Sequence, residues 1–347
     1  MKRRLFTLSL LTLLAFATIT MLYVLSSRRS HHLNNFQRKF SDRPITFLTA
    51  IDIRFKYYHI CGMVNGKTYL GNENSPFSIN ETDETASDIR PINILNNSNK
   101  AIFRGRIEID SPLFYLIDRT TTTILSGKIG EWQAQNYMTN PLAPEDLAVP
   151  IAPHSFVIRT FQNNPSEYVL AKESKHSSSI KMVSGLLEKQ IDGIFCTDGM
   201  LNFNSKQNVL VYVYYYRNQF LCMDTNLNLL YRGKTIDTTS RAKVNVVYLN
   251  SDSSRSYTGV PKIINIKSCL DHRHLFIYSN HKADNESQTS YDKWPVIDVY
   301  ALKNGKYEYS FYLRENKDKR LRDFRVFNDT LIVISDHFLY FYKLNDP

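Results

Sequence analysis

NVLVYVYYYRNQFLCMDTNLNLLYRG, residues 208 to 233, holds three short apolar runs separated by two polar breaks. Val, Leu, Tyr and Phe dominate the runs, and each run is too short for an amphipathic helix, so the pattern predicts strands. One strand runs to Tyr216, and Arg217-Asn218 turns the chain. A second strand reaches Met223, Asp224-Thr225-Asn226 turns again, and Leu227 to Tyr231 starts a third. This is a β-meander, and its length is that of most of one propeller blade.

The same design recurs on both sides. At the C-terminus, Thr330 to Ile334, a turn at Ser335-Asp336-His337, and Phe338 to Leu344 form another hairpin. Upstream lie His59 to Val64 with Lys67 to Leu70, Leu113 to Ile117 with Thr123 to Leu125, and Leu275 to Tyr278 with Val296 to Tyr300. Taking Leu70, Ile117, Leu170, Met223, Ile297 and Tyr340 as the ends of first strands gives intervals of 47, 53, 53, 74 and 43 residues. Most lie near the repeat length of a propeller blade. The long interval contains the polar stretches Ser251 to Ser256 and Asn280 to Trp294, which read as loop insertions. The expected fold is therefore all-β: a six-bladed β-propeller of four-stranded antiparallel meanders over residues 46–347, with a pair of β-sandwiches as the alternative. A blade cannot bury both faces alone, and ring closure lets each cover its neighbour. Short helices are expected only at Pro144 to Leu147 and Ser184 to Gln190.

Seven segments of the chain resemble the TolB-like six-bladed β-propellers, and more narrowly a group of membrane-anchored or exported bacterial propellers without an assigned activity. They are YLGNENSP (69–76), RTF (159–161), LLEKQIDGIFCTDGML (186–201), YYYRNQF (214–220), TIDT (235–238), VIDVY (296–300) and YSFYL (309–313). The resemblance implies the fold and export. It carries no catalytic residue, because none of these segments is a chemical signature.

The N-terminus points to a membrane. Lys2, Arg3 and Arg4 precede Leu5 to Leu25, a run without charge, Pro or Gly, which Ser26-Ser27-Arg28-Arg29 closes. As a helix it is about 30 Å long, enough to cross the hydrocarbon layer. Residues 1–25 read as a short cytoplasmic tail and a transmembrane signal anchor, and 26–45 as a polar juxtamembrane stalk. The domain that follows is placed outside the cytoplasm, on the periplasmic side of an inner membrane. The alternative is secretion after cleavage near Ala15-Phe16-Ala17 or Val24-Leu25-Ser26.

The chain carries 43 Lys+Arg against 33 Asp+Glu, a formal charge of +10. Residues 1–40 contain seven of those basic groups (Lys2, Arg3, Arg4, Arg28, Arg29, Arg38 and Lys39) and no acid. The remainder is nearly neutral, so the body lacks the basic footprint of a nucleic-acid reader, and the excess reads as contact with anionic headgroups. The expected partners are the bilayer through residues 5–25 and a protein or small molecule, with no nucleic acid.

Chemical signatures are sparse. Cys61, Cys196, Cys222 and Cys269 lie far apart within apolar runs and read as small buried side chains, although export would permit a disulfide in one of three full pairings. There is no G-x-S-x-G, H-E-x-x-H or glycine-rich phosphate loop. His31-His32 reads as solvated stalk, and His272 and His274 as a solvated strand face. Sequons stand at Asn80, Asn96, Asn285 and Asn328 and bear only on a eukaryotic secretory host. The densest polar cluster surrounds two Asp-Gly pairs, Asp192-Gly193 and Asp198-Gly199. Asp-Gly is tight-turn chemistry, yet it could also place carboxylates at a propeller rim. The candidate ligand-binding residues are Arg159, Glu188, Asp192, Asp198, Arg217 and Asp237, with polar bonds between blades as the other use of Arg159, Glu188, Arg217 and Asp237. Arg217, in a tight turn, is expected at the surface. No cofactor or metal is expected. The functional expectation is a non-enzymatic binding module, the alternative a propeller hydrolase or lyase with a polar or metal site at the channel.

Overall fold

The computed structural model describes residues 2–29, 34–42, 44–85, 89–118, 120–121, 123–139, 147–174, 180–244, 246–248, 255–257, 259, 261–316 and 320–345. His31-His32 and most of the expected 144–147 helix lie outside the described residues. Six sheets of four or five strands follow one another around a ring. Blade 1 spans Tyr58–Val64 to Arg90–Asn93, and blade 2 Gly105–Asp110 to Gln133–Thr139, with Leu95–Asn96 added in parallel at its outer edge. Blade 3 spans Leu147–Ala152 to Lys181–Val183, blade 4 Gly199–Asn204 to Leu229–Lys234, and blade 5 Asn265–Leu270 to Tyr307–Tyr312. Blade 6 takes three strands from Leu321 to Leu344 and its fourth, Ile45–Asp52, from the other end of the domain. That strand pairs antiparallel with Phe338–Leu344, from Ile45 opposite Leu344 to Asp52 opposite Phe338. The propeller expectation holds.

Each blade is a sheet with two apolar faces, which explains why its central strands read as continuous apolar runs. In blade 2, Phe114 and Leu116 pack toward blade 1, while Tyr115 and Ile117 pack toward blade 3. In blade 6, Leu331 and Val333 face blade 5, and Ile332 and Ile334 face blade 1. One apolar cluster fills each of the six interfaces between neighbouring blades. Aromatic rings also lie across glycines of the adjacent strand. Phe114 faces Gly127 and Phe220 faces Gly233, where a Cβ would come within 2.7 and 2.1 Å of the ring. That close approach is why several strands carry Gly near their ends.

Several local expectations need correction. The six landmarks fall one per sheet, but Leu70 and Ile117 lie in second strands, and Leu170, Met223, Ile297 and Tyr340 in third strands. Both central strands are equally buried, so the apolar pattern cannot tell them apart. Residues 184–190 form turns rather than a helix. The polar stretch 280–294 holds the short helix Gln288–Lys293, capped by Ser287, and residues 255–257 pair with 246–248 as a small hairpin. His272 lies in a turn, so it does not share a strand face with His274. His274 instead contacts Asp271 and Glu308, each at 3.2 Å. All four cysteines are buried free thiols.

The 28-residue helix Lys2–Arg29 precedes the ring, and its apolar stretch Phe6–Val24 is not buried against the rest of the protein. Residues 34–41, within the segment read as a stalk, form a strap along blade 5. Phe40 bridges Ser310 in parallel, and Lys39 and Ser41 bond the Ser310 backbone. Arg38, one of the charges assigned to the membrane, is in fact buried: Nε and Nη2 meet the two Asp298 oxygens at 2.7 and 3.0 Å, and Nη1 reaches Glu286 and the His281 carbonyl. The strap covers the outer edge of the sheet, and an exposed edge would otherwise template further pairing.

Removing Arg38 would leave two buried carboxylates without a counter-charge. Arg38→Met is expected to lower stability by about 3–5 kcal/mol in urea unfolding; a loss below about 1 kcal/mol would show that the strap merely rests on blade 5.

Candidate functional site: the channel waist

The innermost strands of the six blades surround the propeller axis. A cavity of about 690 Å³ lies toward their C-terminal ends, and a smaller one of about 220 Å³ toward their N-terminal ends. Glu73, Arg106, Lys267 and Asp323 line both cavities and so form a waist between them. Strand alternation places these groups. In GRIEID (105–110), Ile107 and Ile109 enter the interface with blade 1, which turns Arg106, Glu108 and Asp110 the other way, to line the larger cavity. In LRDFRVF (321–327), Phe324 and Val326 enter the interface with blade 5, leaving Asp323 and Arg325 on the cavity side.

The result is an ionic network along the channel wall between blades 2 and 6, the two neighbours of blade 1. Arg106 Nε donates to Glu108 at 2.8 Å, and Arg325 Nη2 reaches both Glu108 oxygens at 3.0 and 3.2 Å. Arg106 Nη2 stands 3.8 Å from Asp323. Asp323 accepts the backbone N–H groups of Ile60 at 3.0 Å and Phe324 at 3.1 Å. Burial alone would raise the Asp323 carboxyl, but Lys267, Arg106, Arg325 and the Ile60 N–H outweigh it and hold it down at about 2. Burial, reinforced by Arg106, pushes His59 well below its usual value, so it stays neutral, with Nε2 3.3 Å from the Ile107 backbone. The Cys61 thiol, 3.5 Å from that nitrogen, is pushed well up by burial and is no nucleophile. Among the described residues no group of three or more His, Cys, Asp or Glu side chains is arranged to hold a metal ion.

None of the six residues singled out in the sequence lines this channel. The structure brings four of them together in pairs around the segment joining blades 3 and 4. Arg159 is buried, bonds Asp198 at 2.5 Å and the Ile194 carbonyl at 3.2 Å, and stacks over Tyr168. Arg217 is not at the surface but fully buried, with its guanidinium 3.7 Å above the Tyr214 ring and donating to the Glu188 carbonyl at 2.9 Å. The turn that carries it folds inward under that segment, which the local sequence does not reveal. The Glu188 carboxylate is exposed and faces Arg232 at 3.8 Å. Asp192 accepts the Cys196 N–H at 3.0 Å, as an Asp-Gly turn requires. Asp237 stands apart, accepting the Thr239 N–H at 2.9 Å beside the strap residue Asn34, which Thr238 bonds. The sequence reading missed the waist. Its available signal was opposite charges at period two in 105–110 and 321–327, a pattern that elsewhere marks a solvated strand face.

No known family profile matches the chain, and no curated protein matches it in sequence. Solved structures do share its shape. A DUF4221-family protein from Bacteroides vulgatus is similar at TM-score 0.50 with 15% identity, over 89% of this chain and 96% of that one. A catalytically inactive virginiamycin B lyase from Staphylococcus aureus follows at TM-score 0.46 and 11% identity, over 90% and 99%. BamB from Moraxella catarrhalis gives TM-score 0.40 and 12% identity, over 82% and 85%. The likeness to the first of these, at 15% identity, bears on the propeller fold alone and says nothing about chemistry.

Because the Asp323 carboxyl is depressed on folding, it adds stability that is full above the ordinary carboxylate range near 4 and is lost as pH falls toward 2. Urea unfolding at stepped pH is expected to show wild type losing about 2 kcal/mol more than Asp323→Asn between pH 4 and 2. Parallel pH curves for the two chains would contradict the assignment.

Proposed function

We propose that this chain is a membrane-anchored, extracytoplasmic propeller of the TolB-like kind, and that its ring is a binding module receiving a protein segment or small ligand in the larger chamber of the channel. The observation that carries this reading is the character of that chamber. Apolar Met200, Phe203 and Leu270 line it beside the polar Asn202, Ser268 and Lys206, above a charged floor. A concave, mixed surface with a few fixed polar groups suits recognition. The anchor reading is supported by the helix Phe6–Val24, whose apolar side chains have no protein surface to cover them. The strap ties that helix to blade 5, so the ring would be held at a fixed point rather than on a free tether.

Two measurements test this. Native mass spectrometry of the full chain in mild detergent is expected to show a bound mass that Ser268→Trp, which projects a bulky ring into the chamber, removes. A chain without added mass that instead turns over ester or glycoside probes would make the module an enzyme. For the anchor, the mature protein recovered from membranes is expected to retain residues 2–29. A mature terminus just after Ala17 or Leu25 would overturn it in favour of secretion.

A further inference from the structure

We propose that the waist of the channel receives an oxyanion, the carboxylate or phosphate group of a small ligand, with Lys267 as the contacting cation. This rests on the reading of the channel as the ligand-receiving surface and names the chemistry it selects. The two carboxylates at the centre of the waist are already satisfied within the protein. Glu108 holds Arg106 and Arg325, and Asp323 holds two backbone N–H groups with Arg106 beside it. Lys267, on the innermost strand of blade 5, reaches the same waist but makes no hydrogen bond or ion pair with any described residue, and it lines both cavities.

Asp323 and Glu73 act on Lys267 through space without a hydrogen bond to it, so its three N–H donors stay open toward the cavities it lines. Burial, joined by Arg106 and Arg325, pulls the Lys267 ammonium below the usual lysine range despite Asp323 and Glu73. The ammonium is a compact charge with three donors, suited to a single carboxylate or phosphate group. The large chamber adjoining the waist has room for the rest of a small ligand.

Isothermal titration of the full chain in detergent, with inorganic phosphate and with succinate as separate probes, tests this. One probe is expected to saturate a single site, and which one does so tells phosphate from carboxylate. Lys267→Gln is expected to weaken binding about tenfold or more, whereas Lys267→Arg, which keeps the charge, retains it. Lys262→Gln, an exposed lysine just before the same strand, controls for net charge and is expected to leave binding unchanged. Equal weakening by Lys267→Gln and Lys262→Gln, or no saturation by either probe, overturns the proposal. If neither probe saturates while a bound mass is still displaced by Ser268→Trp, the channel reading stands and only the anion assignment falls.

Discussion

The pairing of Ile45–Asp52 with Phe338–Leu344 is the constraint on which the rest of the molecule depends. It joins residues nearly three hundred positions apart and turns a row of sheets into a ring. Only in a closed ring does blade 6 meet blade 1, so that Ile332, Ile334 and Phe341 are covered by Ile60 and Leu70. Only then do blades 2 and 6 come to flank blade 1, and Glu108 meets Arg325. Loop closure over such a span costs entropy before it returns contacts. The six apolar interfaces are what offset it.

Two electrostatic assemblies are laid over that apolar ring, and they differ in kind. The strap buries Arg38 against Asp298 and Glu286, and the Ser310 and Tyr312 hydroxyls donate to those acids, so one cation and two neutral donors serve two carboxylates. A hydrogen-bonded buried cluster of this kind specifies one geometry more than it adds net stability. It fixes the path of residues 34–41 along blade 5. At the waist, by contrast, Lys267 faces Asp323 and Glu73 only through space and makes no hydrogen bond to a described residue. The first assembly fastens residues 34–41 to blade 5, and the second leaves the Lys267 ammonium facing the channel.

The fold was legible because propeller physics writes itself into local patterns. Residues 208–233 show turns between apolar runs, and one landmark fell in each of six sheets although second and third strands could not be distinguished. The site was much less legible. Arg217 looked like an exposed charge in a tight turn, and Arg159 offered either a ligand contact or a bond between blades; the burial of both depends on the 184–198 segment folding over them. Arg106, Glu108, Lys267, Asp323 and Arg325 are scattered through three blades, and each alone resembles the wet side of a half-buried strand. What makes them a site is that the innermost strand of a blade turns one face into an interface and the other into the channel, and a single strand cannot show which of its faces does so. Arg38 was misassigned for a related reason: it sits among basic residues next to an apolar helix, and its partners lie about 250 residues away.

Native-state hydrogen exchange on the full chain tests the central claim most directly. If the N-terminal strand closes the ring, amides of residues 45–52 exchange only with global unfolding, at the same free energy as those of the 330–344 hairpin. Exchange of 45–52 by local fraying, with the hairpin still protected, would mean that the ring stands without its closure, and the dependence of the waist on that pairing would be refuted.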